Sequence, residues 1–224
     1  MPKFERRETW VGVFDILGFK NIISNTDNEY NLIYLESQLN DLFEAIDKTY
    51  LAHGNIEVFS FSDTFIILTK DLDISSYPWF LLQCRELINR SIEIQLPLRG
   101  AISVGTIFES RDPLIFLGSP FVEAYEYAED QDWIGLLLTP TATDMLRKCD
   151  LEPMHHDFIE NPNDIPLRRK AKIGVLAYRF QNGATNYETH LIHHLELMKA
   201  KAPDIAKDKY TRTIEFIRKY YQWL

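Results

Sequence analysis

The chain is 224 residues long, enough for one substantial domain, or for one domain with a small appendage. Its 46% hydrophobic and 25% charged content is ordinary for a soluble globular protein, and no apolar run approaches the roughly 20 residues of a membrane helix. The formal charge of −9, from 33 acidic and 24 basic residues, argues against a broad nucleic-acid footprint, which needs a basic face. It leaves room for a small anionic substrate held by metal ions and a few basic side chains.

In chain order, residues 10–15, Trp-Val-Gly-Val-Phe-Asp, predict a buried strand, followed at once by Leu17-Gly18-Phe19-Lys20. A strand, a glycine-containing turn and a helix start leave backbone N–H groups pointing outward. Apolar positions at Tyr30, Ile33, Tyr34, Leu39, Leu42, Phe43 and Ile46 have helical spacing, and Gly54 is expected to end that helix. Residues 57–61 and 64–69 predict two strands around a tight Ser62-Asp63 turn. Pro78 opens a helix running to Ile92, and residues 101–108 are a strand. A helix over 118–129, a short strand over 134–138 and a helix over 142–147 follow. Residues 149–166, with Pro153, Pro162 and Pro166, are mostly loop, and 174–180 is a last strand. Two helices, 185–201 and 204–223, finish the chain. The order predicts an α+β fold of ferredoxin-like βαββαβ plan, an antiparallel sheet backed by helices on one face. Residues 1–182 would form the domain and 183–224 a helical appendage packed on it.

Two aspartates carry the chemistry. Asp15 and Asp63 each sit at the turn-side end of an apolar strand, where a carboxylate is costly to desolvate and persists beside positive charge. Two carboxylates from neighbouring strands suit hard divalent cations holding a nucleoside triphosphate. Taken singly, each also reads as an ordinary turn residue. The cluster Arg168-Arg169-Lys170-Ala171-Lys172 reads equally as a solvated loop or as a phosphate contact. Cys84 and Cys149 lack metal-ligand spacing, and Met1–Glu8 lacks the apolar stretch of a signal peptide, so a reduced cytoplasmic protein is expected. His190, His193 and His194 share one helix face, with only Glu188 and Glu196 near them in sequence, which favours a solvated face over a zinc site.

Several blocks together resemble the class III nucleotide cyclase catalytic domain. They are Phe14-Asp15-Ile16-Leu17-Gly18-Phe19-Lys20, Phe61-Ser62-Asp63-Thr64, Leu98-Arg99-Gly100-Ala101-Ile102-Ser103-Val104-Gly105 and Gly118-Ser119-Pro120-Phe121-Val122. The resemblance implies that Asp15, Asp63 and the Ile16 carbonyl bind two Mn²⁺ or Mg²⁺ ions. It implies that Leu17, Gly18 and Phe19 offer N–H groups to phosphates, and that Arg99, Arg168 and Lys170 neutralise charge. Arg99 also reads as a surface ion-pair partner.

The departures are specific. The family reads purines with a Lys before the second Asp and an Asp before the helix glycine; Phe59 and Ile115 stand there. Its transition-state Asn and Arg fall near Glu123 and Tyr127. An unpaired purine edge would cost roughly 1–3 kcal/mol. These departures, with the Asp-Ile-Leu-Gly-Phe-Lys and Phe-Ser-Asp wording and Ile165-Pro166-Leu167-Arg168, resemble the pyrimidine cyclases of the bacterial Pycsar antiphage system. That branch implies UTP or CTP as substrate, a homodimer with composite sites, a downstream effector sensing the cyclic nucleotide in antiviral defence, and no nucleic-acid or membrane partner. Tyr50 or Phe59 would stack on the base or shorten its pocket. Two rivals stay open, a degenerate cyclase-like domain that binds nucleotide without turnover and a non-catalytic interaction domain. Another palm-type enzyme is disfavoured by the absent Gly-Gly-Asp-Glu-Phe wording and by the charge.

Overall fold

A computed structural model describes residues 3–24, 29–53, 55–149, 157–182 and 186–223. The first strand, β1 (Glu5–Ile16), is longer than its apolar core suggests, because its charged first residues pair with the far end of β4 (Leu98–Arg111). The helices α1 (Phe19–Ser24) and α2 (Glu29–His53) lead to the hairpin of β2 (Ile56–Phe61) and β3 (Thr64–Thr69). Gly54, expected to end α2, lies outside the described residues. Then come α3 (Tyr77–Glu93), β4, β5 (Leu114–Leu117), α4 (Ser119–Asp130), β6 (Gly135–Leu138), α5 (Pro140–Lys148), β7 (Phe158–Ile159) and β8 (Leu176–Tyr178). The short strand β9 (Gln181–Asn182) precedes α6 (Tyr187–Lys201) and α7 (Asp204–Tyr220) and pairs with β10 (Gln222–Trp223).

The sheet order β2-β3-β1-β4-β6-β8-β7 contains the ferredoxin-like β2-β3-β1-β4 arrangement. Two details differ from the expected plan. The crossover through α4 makes β6 parallel to β4, so the sheet is mixed rather than wholly antiparallel. In addition, α4 lies on the face opposite α2 and α3. Period-2 alternation separates the two faces: Trp10, Phe14 and Ile16 join the large core, and Val11 and Val13 join a smaller cluster with Leu68, Ile107 and Ala124. Strand β5, absent from the sequence reading, folds back on the end of β4.

The C-terminal helices are not peripheral to the core. Leu191, Leu195, Ile214, Phe216 and Ile217 belong to the same buried cluster as Trp10 and Trp133. Gly100 illustrates how tightly the centre is packed: it pairs with Phe14, and a Cβ there would meet the Phe14 ring at 2.3 Å. No helix among the described residues is long and apolar enough to cross a membrane.

Candidate active site

Antiparallel register brings the key groups together. Asp15, the penultimate residue of β1, sits opposite Thr64 of β3 on one side and opposite Arg99 of β4 on the other. The hairpin turn is tight, with Ser62 at φ 57°, a left-handed conformation taken here without glycine. The Ile16 N–H donates to the Asp63 carbonyl at 3.0 Å, which fixes the two acidic residues on adjacent backbones. Both side chains are half-buried.

Arg99 is the positive charge beside Asp15. Its Nε and a terminal nitrogen donate to Asp15 Oδ2 at 2.9 Å and 2.7 Å, and its other terminal nitrogen donates to the Glu129 carbonyl at 2.5 Å. With an 11% exposed side chain against 19% for Asp15, this is a part-buried pair rather than a solvated one. Burial raises the Asp15 carboxyl above its ordinary value; Arg99 lowers it and Asp63 raises it again. The Asp63 side chain has no hydrogen bond or ion pair among the described residues.

The donor set fits a hard cation. Asp15 Oδ1, the Asp63 carboxylate and the Ile16 carbonyl are hard oxygen groups, with no Cys or His beside them in sequence. Among the described residues no cluster of three or more His, Cys, Asp or Glu side chains is placed to hold a metal. A cation here would therefore complete its shell with backbone, substrate or water oxygens.

The basic segment is held by a residue the sequence did not single out. Asp130, 1% exposed at the end of α4, accepts from the N–H groups of Arg169 and Lys170 at 2.8 Å and 2.7 Å. Burial opposes its charge, but those two N–H groups and the Arg169 side chain hold the carboxyl below its ordinary value. The clamp aims Arg168 at the Glu129 carbonyl, which it reaches at 2.5 Å and shares with Arg99. Lys170 turns elsewhere, pairing with Glu126 and lying 5.8 Å from the Tyr127 ring centroid.

Other expected contributors take distinct places. The Leu17 N–H donates to the Pro97 carbonyl at 2.9 Å. Gly18, at φ 77°, and Phe19 remain at the mouth of α1. Phe59 packs 4.8 Å from Phe116, itself 5.9 Å from Phe121, on the α4 side of the sheet. Glu123 bonds the Thr141 hydroxyl and N–H at the start of α5, and Tyr127 donates to the Ala171 carbonyl at 3.2 Å. The side chain of Tyr50 lies outside the described residues. Sequence spacing also gave no sign of Lys209, a half-buried cation on α7 whose pKa burial and then Arg99 push down.

No protein-family model and no curated protein matches the sequence. Solved structures do. One is the catalytic core of a rhodopsin-guanylyl cyclase with converted specificity, in complex with ATPαS; it is 14% identical with a TM-score of 0.54, over 70% of this chain and 87% of that one. Another is the monomeric guanylyl cyclase domain of the RhoGC fusion protein from the aquatic fungus Blastocladiella emersonii, 16% identical with a TM-score of 0.52, over 65% and 89%. A third is the guanylate cyclase domain of RhGC from Catenaria anguillulae in complex with GTP, 14% identical with a TM-score of 0.51, over 69% and 86%. The chain has the fold of nucleotide cyclase catalytic domains.

Proposed function

We propose that this protein is a pyrimidine nucleotide cyclase, converting UTP or CTP to the 3′,5′-cyclic monophosphate and pyrophosphate. The observation that carries the reading is the juxtaposition of Asp15, Asp63 and Arg99 at the end of β1, on a fold shared with purine nucleotide cyclases. In the reaction the ribose 3′-oxygen forms a bond to the α-phosphorus, the bond to pyrophosphate breaks, and the hydroxyl proton leaves.

Asp15, Asp63 and the Ile16 carbonyl are the residues that would hold divalent cations. Such ions, when bound, favour the 3′-alkoxide and neutralise the leaving pyrophosphate. Arg99 and Arg168 supply fixed positive charge for the phosphates, preorganised on the Glu129 carbonyl. Lys170 is a weaker candidate, since Glu126 already holds it. The apolar Phe59 and Ile115, in place of purine-reading polar groups, support a pyrimidine base.

The apolar side chains exposed on α4 and the β5 strand, Val122, Tyr125, Leu114 and Leu117, support a homodimer with composite sites. The part in antiviral defence, with an effector sensing the product, rests on the shared sequence wording alone.

Purified protein with Mn²⁺ and each of four NTPs, its products resolved by chromatography, should cyclise UTP or CTP best. Preferred turnover of ATP or GTP would sink the pyrimidine assignment. One observation favours binding without turnover instead: Glu123 and Tyr127, at the transition-state positions, are engaged by α5 and by the Ala171 carbonyl. Thermal stabilisation by nucleotide with no product from any NTP would establish that second reading.

A further inference from the structure

The C-terminal half of α7 and the segment 163–172 enclose a cavity of about 540 Å³, within the size range of ordinary small-ligand sites. None of Asp15, Asp63 and Arg99 lines it. It is therefore a second hollow, apart from the carboxylates that would hold divalent cations.

Both walls are pinned by the protein itself. On α7, Arg212, Glu215, Phe216, Lys219 and Tyr220 recur at three- and four-residue spacing and so share one face. That strip is roughly 12 Å long at the rise of an α-helix. Arg212 ties its first end to the Asp132 carboxylate. Lys219, at 2.8 Å, and the Tyr220 hydroxyl tie its last end to the Asp164 carboxylate. Across the cavity, the Asp132 N–H donates to the Pro166 carbonyl at 2.9 Å and the Arg168 N–H to the Asp130 carbonyl at 3.2 Å. The hollow thus runs lengthwise, with Arg168 toward the Arg212 end and Asn163 toward the Tyr220 end.

Those pairs neutralise Arg212 and Lys219 but leave two other cations in the walls. The Arg168 guanidinium donates only to backbone carbonyls, of Glu129 at 2.5 Å and of Asp130 at 3.4 Å. The Lys172 side chain, half-buried, has no hydrogen bond or ion pair among the described residues. Against them stands one unpaired carboxylate, the exposed Glu215. A phosphate monoester, carrying close to two negative charges at neutral pH, suits two such cations on one short segment.

The rest of the surface is apolar. Ile165, Leu167 and Phe216 are buried, and the half-buried Tyr220 has its ring 4.9 Å from that of Phe216. A solvated basic loop explains an exposed arginine but not an aromatic floor in the same hollow. Phosphate-binding charge beside aromatic surface is what a nucleotide presents a need for, since every base has a flat face to lay on a ring.

We propose that this cavity is a binding site for a nucleoside monophosphate, its phosphate held by Arg168 and Lys172 and its base laid against Tyr220 and Phe216. The site goes beyond the cyclase reading and stands without it.

The test is calorimetric titration of AMP, CMP and ribose phosphate into the full chain, without divalent metal. Both nucleotides should bind with a Kd below about 1 mM, at least about tenfold more tightly than ribose phosphate, which lacks the base. Lys172→Gln should weaken all three about tenfold. Tyr220→Leu should bring the nucleotides down to the level of ribose phosphate and leave ribose phosphate itself unchanged. Lys207→Gln, whose lysine pairs with Asp204 at the start of α7, and Asp15→Asn should bind as wild type does. In wild type, a photoactivated azido-AMP should label residues within 163–172 or 212–220, mapped by mass spectrometry, a readout independent of any variant's folding. Nucleotide binding no tighter than ribose phosphate, full affinity in Lys172→Gln, or label elsewhere in the chain, the Asp15–Phe19 turn included, overturns the inference.

Discussion

Arg99 places two of its nitrogens on a single oxygen of Asp15, at 2.9 Å and 2.7 Å, and leaves Asp15 Oδ1 without a hydrogen bond among the described residues. The guanidinium occupies part of the space and all of the charge that a cation at Asp15 would claim. Metal binding therefore competes with an ion pair, and nucleotide phosphates give Arg99 somewhere else to go. Arg99→Gln should tighten Mn²⁺ binding in the absence of nucleotide by about tenfold, since one charge-assisted contact is worth roughly 1.5–3 kcal/mol. The same variant should turn nucleotide over more slowly, having lost a phosphate partner. Mn²⁺ titration followed by electron paramagnetic resonance decides the first point, and unchanged affinity refutes the competition.

The two acidic residues carry equal weight in the proposed chemistry. Asp15→Asn and Asp63→Asn should each reduce Mn²⁺-dependent turnover by at least about 100-fold, a loss of roughly 2.7 kcal/mol of transition-state stabilisation. Full activity in either variant removes the two-carboxylate site.

The contribution of Asp15 to folding should vary with pH. Burial keeps the folded Asp15 carboxyl above its ordinary 3.8 in spite of Arg99. Between that value and the raised one, the native state binds more protons than the unfolded chain, so stability falls as pH rises through this window and is level above it. Urea denaturation of wild type and Asp15→Asn should show the wild-type advantage shrinking from pH 3.8 upward. A difference that stays flat or grows over that interval contradicts the sign.

Asp130 makes the opposite case. Its folded carboxyl lies below the ordinary 3.8, so its contribution is present above that value and is lost as pH falls through the folded one. Asp130→Ala frees the Arg169 and Lys170 N–H groups and releases the segment that aims Arg168. We expect about 2 kcal/mol of lost stability at neutral pH and a raised KM for nucleotide. Asp130→Asn, which keeps one acceptor oxygen for those N–H groups, should retain most of both. If KM is unchanged in Asp130→Ala, Arg168 does not meet the substrate.

Much of this arrangement was legible in the chain because it is local. The apolar run before Asp15, the hairpin around Ser62-Asp63, the helical spacing from Tyr30 to Ile46 and the Pro78 helix start each depend on neighbours a few residues apart. What was hidden depends on register and crossover. The Asp15–Arg99 pair joins residues from opposite ends of the sheet-forming segment, and only the antiparallel alignment of β1 and β4 brings them together. The four-residue β5 strand is too short to announce itself, and α4 takes the second face of the sheet because Ala124 and Phe121 have Val11 and Val13 to cover. Asp130 ends α4, and its role appears only when the 168–170 segment folds back on it.

Base selection offers a separate test, because it leaves the metal ligands alone. Phe59 shares its sheet face with Val13 and Asp15, and its ring is wedged 4.8 Å from Phe116. An aromatic wall at that position shortens the space open to a base and offers a purine edge no hydrogen-bond partner. Removing the ring should relax the shape constraint more than it harms the pyrimidine, since hydrophobic pockets discriminate by roughly 10–200-fold through size. Phe59→Ala should therefore raise GTP or ATP turnover relative to UTP about tenfold, at a folding cost of about 1–3 kcal/mol for a half-buried aromatic in contact with another. Competition assays with paired NTPs at equal concentration report the ratio directly, independent of how much active enzyme each preparation contains. A ratio within about twofold of wild type would place the base away from the Phe59 face and leave pyrimidine preference, if the products show it, without this wall as its cause.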